Sequence, residues 1–171
     1  NANEVIALAN KLLLLKQKKF GSIDRDSNFL ARPGIEKQGK VSLLRDKSAV
    51  IRELDAATSR SVGTAVIVLN DDDKESARAV FSTPLVFSVH EAKGLEYSRV
   101  ILYRFISSSP KEFGYIAEGM EREDLSGELK YARARDKQDK SLEVYKFYIN
   151  SLYVGITRSI DEAILVEDDV S

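Results

Sequence analysis

Cysteine is absent from this sequence, which excludes disulfides and thiolate metal sites and fits a reducing compartment. A single histidine, His90, excludes a multi-histidine metal centre. Long apolar runs are missing too. The best candidate, Leu12 to Leu15, is far too short to cross a bilayer, and no stretch reads as a secretory signal. A cytoplasmic protein with no membrane partner is therefore the expectation. There is no excess of positive charge, since 26 basic residues meet 27 acidic ones for a net −1. A free-standing DNA-binding domain is commonly basic overall, so any nucleic-acid contact here has to be local. What remains is 171 residues, 43% hydrophobic and 31% charged, enough for one soluble globular domain with a proper core.

Two stretches carry the chemistry. In the first, the apolar run Val86-Phe87 feeds Ser88-Val89-His90-Glu91-Ala92-Lys93-Gly94-Leu95-Glu96-Tyr97, and the β-branched run Val100-Ile101 follows. The pattern is strand, loop, strand, with Ser88, His90, Glu91, Lys93 and Glu96 expected near one strand end. Gly94 permits a tight or left-handed turn between them. Loops of this kind face ligands in open α/β sheets, although a polar loop between strands is also an ordinary solvated turn. The second stretch, Tyr148 to Ser159, closes a helical pattern and ends in Gly155-Ile156-Thr157-Arg158.

Read in order, the remaining chain alternates helical and strand patterns. Apolar residues from Val5 to Leu15 recur at helical spacing, with Lys16, Lys18 and Lys19 at the helix end and Gly21 as the stop. Residues 22–39 read as a surface loop, and Val41–Leu44 as a short strand. Asp46 or Ser48 is expected to cap a helix running to about Arg60, with Val50, Ile51 and Leu54 inward. Thr64–Leu69 is a buried strand, and Asn70-Asp71-Asp72-Asp73 turns the chain into a helix over 73–81. The three aspartates read as an acidic helix start rather than a cation site. Residues 105–140 read as a charged loop or insertion with short helical pieces. Glu118 to Glu128 is mainly acidic, and Lys130 to Lys140 is mainly basic, either a solvated linker or a phosphate contact. Leu142, Tyr145, Ile149 and Leu152 restore helical spacing. Ala163–Val166 is a last buried strand before an acidic tail.

Ser-Val-His-Glu-Ala-Lys-Gly-Leu-Glu-Tyr (88–97) resembles motif V of the UvrD/Rep-like superfamily 1 DNA helicases, and Leu-Tyr-Val-Gly-Ile-Thr-Arg-Ser (152–159) resembles their motif VI. The segment Thr64 to Phe81 resembles the region called motif IVa, without the subdomain that larger relatives insert after it. The resemblance implies an α/β fold: a RecA-like three-layer sandwich with a mainly parallel sheet, spanning 1–171 as one C-terminal (2A) domain. The chain has no Gly-x-x-x-x-Gly-Lys-Ser/Thr and no acidic Walker B strand, so it lacks a P-loop of its own. It therefore resembles the second motor domain, inactive alone and part of a longer polypeptide whose Tyr-Arg motif IV would lie before Asn1.

The same resemblance implies the site residues. Arg158 corresponds to an arginine finger that stabilises charge on the transferring phosphoryl group, which suits a side chain that stays charged and offers a rigid fork of donors. Glu96, Gly94, Thr157 and Gly155 fall in the ATP-binding positions, with Glu96 on the sugar and Gly155 and Thr157 shaping the approach. Ser88, His90 and Lys93 fall at positions that contact single-stranded DNA; Ser88 replaces a common threonine. The implied ligands are ATP with Mg2+, the metal being held by the N-terminal RecA-like domain of the same polypeptide. The other implied partner is single-stranded DNA or a single-strand/duplex junction. Two other classes stay open: a non-catalytic helicase-like module that binds nucleic acid or protein, and the helicase part of a nuclease–helicase fusion.

Overall fold

The computed structural model describes residues 3–20, 40–125 and 140–168. In chain order these form α1 (Asn3–Phe20), β1 (Lys40–Arg45), α2 (Ser48–Thr58), β2 (Thr64–Val68) and α3 (Asp73–Val80). There follow β3 (Val86–Ser88), β4 (Tyr97–Tyr103), α4 (Pro110–Ala117), a 3-10 turn at Arg122–Leu125, α5 (Lys140–Thr157) and β5 (Ser159–Glu167). The strands make one five-stranded sheet in the order β1-β5-β4-β2-β3, and every pairing is parallel.

The expected α/β sandwich with a mainly parallel sheet is thus present, and its sheet is parallel throughout. Parallel sheets are covered on both faces, so their strands read as continuous apolar runs rather than alternating ones. β2 follows that rule: all five residues of Thr-Ala-Val-Ile-Val are buried. Ile67, Leu102 and Leu165 point to the face carrying α1, α4 and α5, where they meet Leu12, Phe113 and Ile149. Val66, Ile101 and Ile164 point to the other face, against Ile51 of α2 and Ala77 of α3.

Several expectations change in detail. Neither Asp46 nor Ser48 caps α2: Ser48 is its first helical residue, and Lys47 holds the cap position with no side-chain bond. Asp46 instead accepts from Tyr103 Oη at 3.4 Å and pairs with Arg104. The stretch from 105 contains α4 and the 3-10 turn, the short helical pieces expected there, and Phe113 and Ile116 of α4 are moreover buried in the core. Gly21, the loop at 22–39 and the basic run up to 139 lie outside the described residues.

Gly155 is the sharpest case. It sits inside α5, buried, where a Cβ would come within 2.9 Å of Leu102 Cδ2 and 3.5 Å of the Phe105 ring. Its role is the close approach of α5 to β4, not the shaping of a surface. Alanine gains about 1 kcal/mol of helix propensity there, which the tight contact offsets, so Gly155→Ala should be near neutral. Gly155→Val drives two further methyls into the filled contact and should cost about 1–3 kcal/mol. A urea melt of both variants checks this, and equal midpoints would contradict it.

Candidate functional site

The strand registers decide where each candidate residue stands. Ser88 is level with Val68, at the C-terminal edge of the sheet. Arg99 is level with Thr64, and Tyr97 pairs with Ser159, both at the N-terminal edge. At about 3.3 Å per residue, the Ser88 level lies about 13 Å from the Arg99 level, and Tyr97 stands two residues further down. Segment 89–96 spans that height, so Glu96 does not join Ser88 at one strand end as its sequence proximity suggests.

At the C-terminal edge, Ser88 and Glu91 form a reciprocal capping box. Ser88 N–H donates to Glu91 Oε1 at 3.1 Å, and Glu91 N–H reaches Ser88 Oγ at 3.4 Å. Ala92 N–H then donates to the Ser88 carbonyl at 3.0 Å, closing a helical turn. Glu91 is also anchored from α3, since Lys74 Nζ donates to it at 2.7 Å. That ammonium, with the Ser88 N–H, holds the Glu91 carboxyl down to about 2. Ser88 is only 2% exposed, so its hydroxyl orients the turn from beneath rather than meeting solvent. His90 and Lys93, by contrast, are exposed on the turn. Gly94 ends it with φ +81°, the left-handed conformation expected of it, with open space where a Cβ would stand.

At the N-terminal edge, Glu96 and Arg158 are brought together. Tyr97 N–H donates to the Arg158 carbonyl at 2.9 Å, so the two residues occupy neighbouring strand starts. Arg158 is the whole connection between α5 and β5. Thr157, just before it, turns its hydroxyl back to the carbonyls of Tyr153 (2.9 Å) and Val154 (3.1 Å), a bond that helical threonines make to the preceding turn. Arg158 Nη2 reaches Thr157 Oγ1 at 3.5 Å. Arg158 Nε is buried and has no hydrogen-bond partner among the described residues. An arginine offers five N–H donors and no acceptor, and a buried donor left unmatched is costly. Nε is closed to solvent while the residue as a whole is only half-buried, so an incoming anionic oxygen would have to meet the terminal nitrogens of the guanidinium.

Between the two edges, segment 89–93 and α5 enclose a groove of about 370 Å3. His90 and Lys93 line it together with Phe147, Asn150, Tyr153 and Val154. Tyr153 belongs to both regions: burial pushes its phenol up, while the nearby Arg158 charge pulls it the other way. Phe147, Asn150 and Tyr153 were not singled out from the sequence. The helical spacing tracks the buried stripe of Ile149, Leu152 and Ile156, and Phe147 is out of phase with it. An aromatic residue out of phase with its helix's apolar stripe was the available signal.

No family model matches the chain. Among solved structures, it is similar to the crystal structure of the C-terminal domain of a possible DNA helicase from Lactobacillus plantarum WCFS1, at 15% sequence identity and a TM-score of 0.42. The alignment covers 98% of this chain and 86% of that one. Likeness at this level carries no functional argument, and function has to be argued from the residues themselves.

Elsewhere, the aspartate run opens α3 as a helix start: Asp73 Oδ2 accepts Asn70 N–H at 3.2 Å, and Asp71 pairs with Lys74 at 3.4 Å. Among the described residues, no helix is long and apolar enough to cross a membrane.

Proposed function

We propose that this chain is the second motor domain of an ATP-dependent DNA helicase or translocase of the UvrD/Rep-like type. The observation that carries the reading is Arg158, half-buried at the sheet edge where Glu96 also stands, with an Nε that has no hydrogen-bond partner among the described residues. A finger that crosses to a nucleotide held by another domain needs that combination of fixed backbone and unspent donors. The placement of α5 directly before β5 supplies the fixed backbone.

In this reading, ATP with Mg2+ supplies the phosphoryl group and its counter-charge from a cleft shared with the N-terminal domain of the same polypeptide. Arg158 stabilises negative charge on the transferring group. Glu96 accepts a ribose hydroxyl, and Thr157 and Gly94 hold the backbone on either side of that pair. His90 and Lys93 meet the sugar–phosphate backbone of single-stranded DNA, contacts that position a strand without reading its sequence. Ser88 and Glu91 keep their turn in place. Tyr153, shared by the groove and the surroundings of Arg158, is the short route by which the strand's position reaches the finger.

The test is ATP hydrolysis by the intact protein, with and without single-stranded DNA. Turnover that rises with DNA, and falls back in Lys93→Ala, is expected. An intact protein that binds DNA but hydrolyses no ATP at any DNA concentration sinks the motor reading and leaves the binding module.

A further inference from the structure

We propose that the groove between segment 89–93 and α5 receives an unpaired nucleobase, with Phe147 as its stacking surface and Lys93 on the adjoining phosphate. This rests on the reading of the chain as part of a motor that tracks single-stranded DNA, and adds to it a contact with the base rather than with the backbone. Phe147 is 50% exposed and Val144, one turn earlier, is 55% exposed, although the neighbouring turn of the helix is in the core. The Phe147 ring is also braced. Tyr148 meets it edge-on with ring centres 5.4 Å apart at 78°, and Phe113 from α4 meets Tyr148 at 5.7 Å and 76°. A ring fixed in this way loses little freedom when a base stacks on it.

The groove's volume, about 370 Å3, falls within the span of small-ligand sites. Its wall is apolar at Val89, Phe147, Val154 and the ring of Tyr153, with polar groups from His90, Lys93, Asn150, Ser151 and the Tyr153 hydroxyl. Among the described residues no carboxylate lines it, so these walls accept a polyanion without repulsion. A purely apolar protein segment would instead press hydrocarbon on Lys93, His90 and Asn150 and strip their water without replacing it. A nucleotide matches both halves, because its base has an apolar face and a polar edge, and its phosphate answers the ammonium. Aromatic stacking of this kind tolerates any base, as a translocating motor requires.

The test is equilibrium binding of the intact protein to two labelled single strands of equal length, oligo-dT and an abasic analogue. Phe147→Ala should weaken oligo-dT binding by about 5- to 100-fold, the range that base–aromatic stacking supplies. Its affinity for the abasic strand should be unchanged, and Phe147→Trp should restore oligo-dT binding. Equal losses on both strands, or none on either, would overturn the base site. Loss of self-association in sedimentation with DNA binding untouched would also overturn it, and would make the patch a protein contact. Lys93→Ala separates the levels. If it weakens binding to both strands while Phe147→Ala does nothing, the DNA track stands and only the base site fails. If neither variant changes binding, the reading beneath fails as well.

Discussion

Arg158→Ala should lower ATP turnover of the intact protein by about 10³- to 10⁵-fold, the range attributed to arginine fingers. The size follows from what the side chain does. In the proposed role, charge growing on the transferring phosphoryl group would sit in a cleft from which water is excluded, where a fixed guanidinium is worth more than in bulk solvent. The backbone of Arg158 is fixed by its neighbours: its amide donates to the Gly155 carbonyl at 3.3 Å, its carbonyl accepts from Tyr97, and its Nε has no hydrogen-bond partner among the described residues. Lysine restores the charge without the planar fork, so Arg158→Lys should recover only a small part of the loss. Turnover within a few-fold of wild type in Arg158→Ala would remove the residue from the chemistry.

The second large effect is on stability, at Glu167. This carboxylate ends β5 and is 2% exposed. It accepts from Ile106 N–H at 2.9 Å, Ser107 N–H at 2.8 Å and Ser107 Oγ at 2.5 Å, and so builds the turn leaving β4. That turn starts at Arg104, whose φ of 49° is unfavourable for a side-chain-bearing residue and is held by Asp46 and Asp168. Glu167→Ala strands two amides and a hydroxyl. Each orphaned donor costs about 1–3 kcal/mol, and access of water to the shortened side chain brings the total to about 3 kcal/mol. For a chain of this size that lowers Tm by roughly 6–12 °C. Glu167→Gln keeps one acceptor and should lose about a third as much. Calorimetry of the three proteins checks the order, and an unchanged Tm for Glu167→Ala would contradict it.

The sequence made much of this legible, for identifiable reasons. β2 could be read because a doubly covered strand is a near-continuous apolar run, and Gly94 because a left-handed turn has few other occupants. Gly155 was harder, since a glycine inside a helical pattern looks the same whether it serves a surface turn or a close helix–sheet contact. Leu102, which decides the matter, is more than fifty positions away. The separation of Glu96 from Ser88 was hidden for a related reason: distance along the chain does not tell which edge of a sheet a connection reaches, and register does. α4 could be read only as a short helical piece, because Pro110, Gly114 and the surrounding charge hide that Phe113 and Ile116 carry a buried face. The groove needed two elements brought together, and neither 89–93 nor α5 announces it alone.

The most direct test of the account is to measure ATP affinity and turnover side by side in Arg158→Ala, using the intact protein with saturating single-stranded DNA. The account predicts a dissociation constant for ATP close to wild type with turnover almost gone, since the finger acts on the transition state more than on the bound nucleotide. Turnover that survives, or affinity and turnover lost in equal measure, would contradict it.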